Sequence, residues 1–248
     1  MAKQTQKDWV PLDIAQQRGK ARNIVYRVGI ELEGGWDKLP PGVRLVHDGS
    51  VVFPQMVNAV GELPSGILDV VNGSPTYWAT WLATNFPHHV NDTCGMHVHL
   101  SFKTAFAYNR LMTPQYPATV VAEFRRWATE QHLADNHAIW PRLANKSKFC
   151  QHKFFADEQV QQREKDHDQA RMGHRYTVIN YAYGRYSTVE CRLLPMMATY
   201  DQSRAAVQEL LDVTNAFLLA LPNKREEKHR MEHKTDDQID RVETRIYV

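Results

Sequence analysis

Three short apolar segments of the chain carry ionisable residues at alternate positions. These residues form the pairs Glu31 and Glu33, His97 and His99, and Glu190 and Arg192. Residues two apart in an extended strand point to the same face of a sheet. The positions between them are apolar, as Val28, Ile30 and Leu32 are in the first segment. Each segment is therefore predicted to be a strand with one apolar and one polar face, and the polar faces are candidates to form one site.

The same periodicities predict the other elements. Strands are expected over 23–33, 95–102, 176–183 and 187–194, with a hairpin within 43–53 and a short extended piece around Glu62. Helices are expected from residue 74, over 117–140 and over 201–221, where apolar residues recur at helical spacing. This layout favours an α+β fold in which helices back one antiparallel sheet.

The pattern also divides the chain into segments. Residues 1–23 are expected to form a loosely held N-terminal arm, residues 24–222 one domain, and residues 223–248 a charged C-terminal tail. The polar stretch 151–174 is compatible with a helix, a mobile loop or a lid.

Composition narrows the class of protein. The net charge of +2 gives no argument for a nucleic-acid or anionic-membrane partner, and no apolar run approaches the roughly 20 residues that cross a bilayer. The first residues lack the apolar core of a secretion signal, and three cysteines do not indicate a disulfide framework. We expect a reduced, cytoplasmic protein.

The paired residues suggest metal chemistry. Glu31 and Glu33 repel each other unless they are solvated or bridged by a cation. The pair therefore indicates either a site for Mg²⁺ or Mn²⁺ or a solvent-exposed strand face. His97 and His99 suit a metal, an anion or a substrate carboxylate, and with Cys94 nearby a zinc site is conceivable. Packing or surface histidines are the alternative there.

The basic residues suggest phosphate binding. Glu190 and Arg192 are compatible with a weak surface ion pair. Alternatively, Glu190 binds a metal and the Arg192 guanidinium binds phosphate. Arg142 and Arg175 are candidates of the same kind, although each by itself is compatible with an ordinary surface arginine. Asn180 suits either a ligand or a cap near a turn.

Several nucleotide and hydrolase motifs are absent from the sequence. It contains no GxxxxGK[ST] loop, no GxGxxG after a strand, no HExxH and no GxSxG. These absences argue against a P-loop ATPase, a dinucleotide enzyme, a thermolysin-like protease and an α/β-hydrolase.

Several short motifs follow one another along the chain: GIELE at 29–33, DGS at 48–50, GEL at 61–63 with Ser65, GMHVHL at 95–100, Arg142, RYTVIN at 175–180 and VECR at 189–192. Their order resembles that of the amidoligase family, whose members are related to glutamine synthetase and the glutamate–cysteine ligases. The resemblance extends from about residue 24 to about residue 215. It implies a glutamine synthetase-like fold, with a funnel-like antiparallel sheet and helices packed on its outer face.

The resemblance also implies roles for the site residues. Divalent cations, Mg²⁺ or Mn²⁺, would be held by Glu31, Glu33, Glu62 and Glu190. His97 and His99 would face the substrate, the transferred phosphate or a metal. ATP and the acyl-phosphate would be bound by Arg142, Arg175, Asn180 and Arg192. Asp48 would bind the incoming amine or shape its pocket.

The expected function is ATP-dependent joining of a carboxylate to an amine through an acyl-phosphate, within the domain at 24–222. The product would be an amide or peptide, including a γ-glutamyl or isopeptide bond, and the substrates small molecules or peptides. One alternative is a zinc hydrolase that uses Cys94, His97 and His99 with a glutamate as base. Another is a non-catalytic binding module derived from the fold.

Overall fold

The computed structural model describes residues 10–18, 24–55, 57–154, 176–182 and 188–221. Four parts of the sequence-based interpretation lie outside these residues: Arg175, residues 1–9 and 19–23 of the N-terminal arm, most of the polar stretch at 151–174 and the tail at 223–248. Within the described ranges the fold is α+β, with an open antiparallel sheet and helices, as the pattern predicts.

The sheet contains the three strands on which the site prediction depends. Its strands are β1 (Val25–Trp36), β2 (Ala59–Pro64), β3 (Leu68–Asp69), β4 (Met96–Phe102), β5 (Ile179–Ala182) and β6 (Thr188–Cys191). Their spatial order is β2-β1-β4-β6-β5, with β3 also paired to β1, and every pairing is antiparallel. The long strand β1 and the strand β4 therefore lie side by side at the centre.

Helices cover the apolar face of this sheet. They are α1 (Trp78–Asn85), α2 (Ala105–Leu111), α3 (Gln115–Glu130), α4 (Ile139–Leu143) and α5 (Tyr200–Ala220). The longest helix, α5, has Thr199 as its N-cap, and the Thr199 hydroxyl accepts a hydrogen bond from the Gln202 backbone N–H at 3.2 Å. Leu210 and Phe217 of α5 are fully buried in the same core as the sheet residues.

The core confirms the alternation seen in the sequence. The predicted apolar positions of the central strands are at most 1% exposed: Val28, Ile30, Leu32, Met96, Val98, Leu100, Val189 and Cys191. Because side chains alternate along a strand, the ionisable residues between them point to the opposite face. Burial of the apolar set thus fixes the register and the orientation of the polar set.

Two predicted elements are wrong. Among the described residues, 43–53 forms no hairpin; Val46 makes an isolated bridge with Glu62 instead. The helix expected over 117–140 stops at Glu130 because His132 adopts a left-handed φ of 52°. There the His132 N–H donates to Thr129 O and the Leu133 N–H to Ala128 O, which closes a Schellman C-cap.

The described part of the N-terminal arm is packed against the helices. Ile14 is fully buried, and the Arg18 guanidinium lies 2.6 Å from the Glu209 carboxylate and 2.8 Å from that of Glu123. The expectation of a loosely held arm is therefore wrong for residues 10–18. Among the described helices, none combines the length and the apolar character needed to span a membrane.

Candidate functional site

The polar face of the sheet brings together candidate residues from five strands. Glu33 pairs with Glu62, Glu31 with His97, and Glu190 with both His99 and Asn180. Residues directly opposite each other in an antiparallel pair point to the same face. The register therefore places these side chains in adjacent rows across β2, β1, β4, β6 and β5.

Glu31 lies between the two histidines of β4. Its Oε2 is 3.2 Å from His97 Nδ1 and its Oε1 is 3.1 Å from His99 Nε2. Burial by itself would raise the pKa of Glu31, but the hydrogen bonds with the two histidines outweigh it and hold that pKa well below its ordinary value. The carboxylate is therefore a persistent negative charge at the centre of the site.

Thr188 orients His99 from the side opposite Glu31. Its Oγ1 lies 3.1 Å from His99 Nδ1, whereas Nε2 faces the Glu31 carboxylate. Since an ionised carboxylate only accepts hydrogen bonds, Nε2 carries a proton and donates to it. Burial lowers the pKa of His99, but Glu31 and Glu190 outweigh burial and the net shift is upward. Sequence analysis missed Thr188, although it lies two positions before Glu190 on the same strand face.

Glu190 and Arg192 form a buried ion pair with an additional amide contact. Arg192 Nη1 donates to Glu190 Oε1, and Asn180 Nδ2 donates to Glu190 Oε2 at 2.7 Å. Burial raises the pKa of Glu190, but the charge of Arg192 and the histidines outweigh burial, so the net shift is downward. Within the described part of the chain, the buried Nε of Arg192 has no hydrogen-bond partner.

A second group of carboxylates lies at the β2 edge of the site. Glu33, Asp48 and Glu62 each place a carboxylate oxygen within 4.8 Å of the other two. Burial raises the pKa of Glu62 to about 7, and the negative charges of Glu31, Glu33 and Asp48 act in the same direction. This carboxylate cluster is thus unfavourable when fully ionised, which a divalent cation would relieve.

Among the described residues, the potential ligand atoms form three overlapping groups. The groups are Glu31, His99 and Glu190; Glu31, Glu62 and His97; and Glu33, Asp48 and Glu62. The first two share Glu31 and the last two share Glu62, so carboxylates can bridge neighbouring cation positions. Oxygen-rich donor sets of this kind suit Mg²⁺ and Mn²⁺.

Cys94 belongs to none of these groups among the described residues. Its Sγ lies 3.6 Å from Asn91 Oδ1, and burial raises the pKa of its thiol. A zinc ligand must be the thiolate. The environment of Cys94 therefore does not favour its predicted alternative role in a zinc site.

Arg142 extends from α4 to the site, and its guanidinium hydrogen-bonds to backbone carbonyls. Its Nη1 donates to the carbonyls of Arg192 and Leu194, at 3.0 Å each. Its Nη2 lies 3.5 Å from the position that a Cβ on Gly95 would occupy. Arg142 thus holds the segment after β6 in place, and its other terminal nitrogen lies at the edge of the polar face.

Comparison with known proteins identifies no relative. No family model, no curated protein and no solved structure matches this chain. Any functional conclusion therefore depends on the chemistry of the residues and on the order of their motifs.

Proposed function

We propose that the protein is an ATP-dependent carboxylate–amine ligase of the amidoligase kind, with a funnel-like, glutamine synthetase-related sheet. The observation that carries the proposal is the set of overlapping ligand groups on one sheet face, joined through Glu31 and Glu62, with the buried Arg192 beside it. Phosphoryl transfer from a nucleoside triphosphate needs divalent cations and a fixed positive charge. The overlapping ligand groups support the first requirement, and Arg192 supports the second.

The residues have separate roles in the proposed reaction. Divalent cations would be held by Glu31, Glu33, Glu62 and Glu190, and when bound they would screen the negative charge of ATP. Arg192 is held in place by Glu190, and its guanidinium would bind an oxygen of the transferred phosphate. Asp48 lies among carboxylates and attracts a protonated amine substrate by charge.

The donor set supports the ligase more than either alternative. The zinc hydrolase needs Cys94 as a ligand, and that residue lies in none of the ligand groups among the described residues. A non-catalytic binding module would be supported by loss of ligand carboxylates, whereas Glu31, Glu33, Glu62 and Glu190 are all present in the groups. The cysteines, free and buried, fit a cytoplasmic location.

The first test is thermal unfolding with a non-hydrolysable ATP analogue, with and without Mg²⁺ or Mn²⁺. Saturation at 100 times Kd adds about 2.7 kcal/mol to the free energy of unfolding, and each kcal/mol shifts Tm by about 2–4 °C at this chain length. The compared proteins are wild type, Glu31→Gln and the matched control Glu130→Gln, which makes the same change on an exposed part of α3.

The ligase predicts a Tm shift that requires both metal and nucleotide, is lost in Glu31→Gln and persists in Glu130→Gln. A drop in Tm on chelation, without any nucleotide response, would overturn the proposal in favour of the zinc hydrolase. No response to either would favour the binding module. After a positive result, acids and amines, including peptides, are screened for ADP release to find the substrates.

A further inference from the structure

Gly95 and Glu33 are joined twice, once through the backbone and once through a side chain. The Glu33 N–H donates to the Gly95 carbonyl at 3.0 Å, and the Gly95 N–H donates to the Glu33 carboxylate at Oε2. In a regular antiparallel pair, the second bond would go to the main-chain carbonyl instead. The side chain of a candidate cation ligand therefore replaces a ladder partner just before β4 begins.

The space above Gly95 is occupied by other site groups. A Cβ built on Gly95 would lie 3.0 Å from Glu33 Oε2, 3.0 Å from His97 Nε2 and 3.5 Å from Arg142 Nη2. A side chain here would push Glu33 and His97 away from their positions. Close approach of neighbouring site groups, and not a left-handed backbone conformation, is the reason that a glycine suits this position.

We infer that Gly95 is a positioning residue for the cation site: its N–H and its lack of a side chain fix the carboxylate of Glu33. The bond holds Oε2 against the backbone and leaves Oε1 directed by the remaining contacts, including His97 Nε2 at 3.7 Å. Glu33 is 4% exposed, so few other orientations are open to it. This inference rests on the proposed function, because it concerns the proposed ligand Glu33.

A first test observes the hydrogen bond directly and needs no metal. Selective ¹⁵N labelling of glycine limits the amide spectrum to the 12 glycines of the chain. The Gly95 amide is expected to resonate downfield and to exchange slowly with solvent, since it donates a hydrogen bond to a buried carboxylate oxygen. Both signatures should be lost in Glu33→Ala and retained in Glu130→Ala. A Gly95 amide that is the same in wild type and Glu33→Ala would overturn the inference.

A second test measures Mn²⁺ binding alone, by titration. Gly95→Ala is expected to weaken Mn²⁺ affinity by about tenfold or more, the loss typical when a group that orients a metal ligand is removed. The control is Glu130→Ala, an exposed position on α3 that belongs to none of the ligand groups found among the described residues. If Gly95 acts through Glu33, the double variant Gly95→Ala/Glu33→Gln binds no more weakly than Glu33→Gln.

The outcomes separate this inference from the proposed function. Wild-type affinity in Gly95→Ala would overturn the positioning role and leave the ligase proposal intact. A wild-type protein that binds no Mn²⁺ would overturn both. If Gly95→Ala does not fold, the amide signature of Gly95 in wild type and Glu33→Ala decides the question.

Discussion

The Glu31 carboxylate and the His97 imidazole lie 3.2 Å apart although 66 positions separate them in the chain. The antiparallel pairing of β1 with β4 brings them together, and Glu31 also contacts His99 through its other oxygen. Glu31 therefore connects the two histidines and takes part in two of the three ligand groups.

Glu31→Gln is expected to weaken Mn²⁺ binding more than Glu190→Gln does, because Glu190 takes part in only one of the ligand groups formed by the described residues and Glu31 in two. Removal of a residue that orients a metal ligand typically lowers metal affinity by about 10–100-fold, and the loss of Mn²⁺ affinity in Glu31→Gln should be larger. Isothermal titration with Mn²⁺ measures both variants beside Glu130→Gln as control. Equal losses at positions 31 and 190 would contradict a bridging role for Glu31.

The contribution of Glu62 to the stability of the metal-free protein should fall as pH rises from its ordinary pKa of 4.5 to its raised pKa of about 7. In this window Glu62 binds more protons in the folded state than in the unfolded state, so its deprotonation favours unfolding. The difference in Tm between wild type and Glu62→Gln, measured in the presence of EDTA, should therefore shift against wild type across this range. Mn²⁺ affinity should rise over the same window, because a proton competes with the cation. Equal pH slopes in the two proteins would show that Glu62 is not the responsible group.

Arg192→Leu should reduce the free energy of unfolding by about 3–5 kcal/mol, since it leaves the buried Glu190 carboxylate without its ion-pair partner. The control is Arg126→Leu on α3, where an arginine that also pairs with glutamates is 45% exposed. That change should cost at most about 1 kcal/mol. Urea unfolding of both variants measures the difference, and similar losses would contradict the strong coupling of the buried pair.

Ile14→Ala should lower the free energy of unfolding by about 2–5 kcal/mol, because it leaves a cavity beneath the N-terminal segment. Ile14 is fully buried, whereas Val10 is 65% exposed. Val10→Ala should therefore change stability by no more than about 0.5 kcal/mol. Urea denaturation tests both variants. An Ile14→Ala protein as stable as wild type would mean that the segment at 10–18 does not pack as described.

The alternation of apolar and polar residues predicted the central strands correctly. The strands at Glu31, His97 and Glu190 follow from alternation of apolar and polar residues, which depends only on neighbours along the chain. The hairpin at 43–53 was wrong because the turn at Asp48 does not bring two strands together: Val46 pairs with the distant Glu62. The break after Glu130 was missed because it depends on a left-handed residue, His132, for which the periodicity gives no signal.

The sequence by itself determined the α+β class, the apolar faces of the central strands and which polar residues share a face with them. Only the tertiary structure decided the strand order, and with it that Glu31 meets both histidines, that Asn180 and Arg192 hold Glu190, and that Gly95 holds Glu33. The physical reason is that side-chain alternation is a property of one strand. The distances between ligand atoms depend on register between strands that are far apart in the chain.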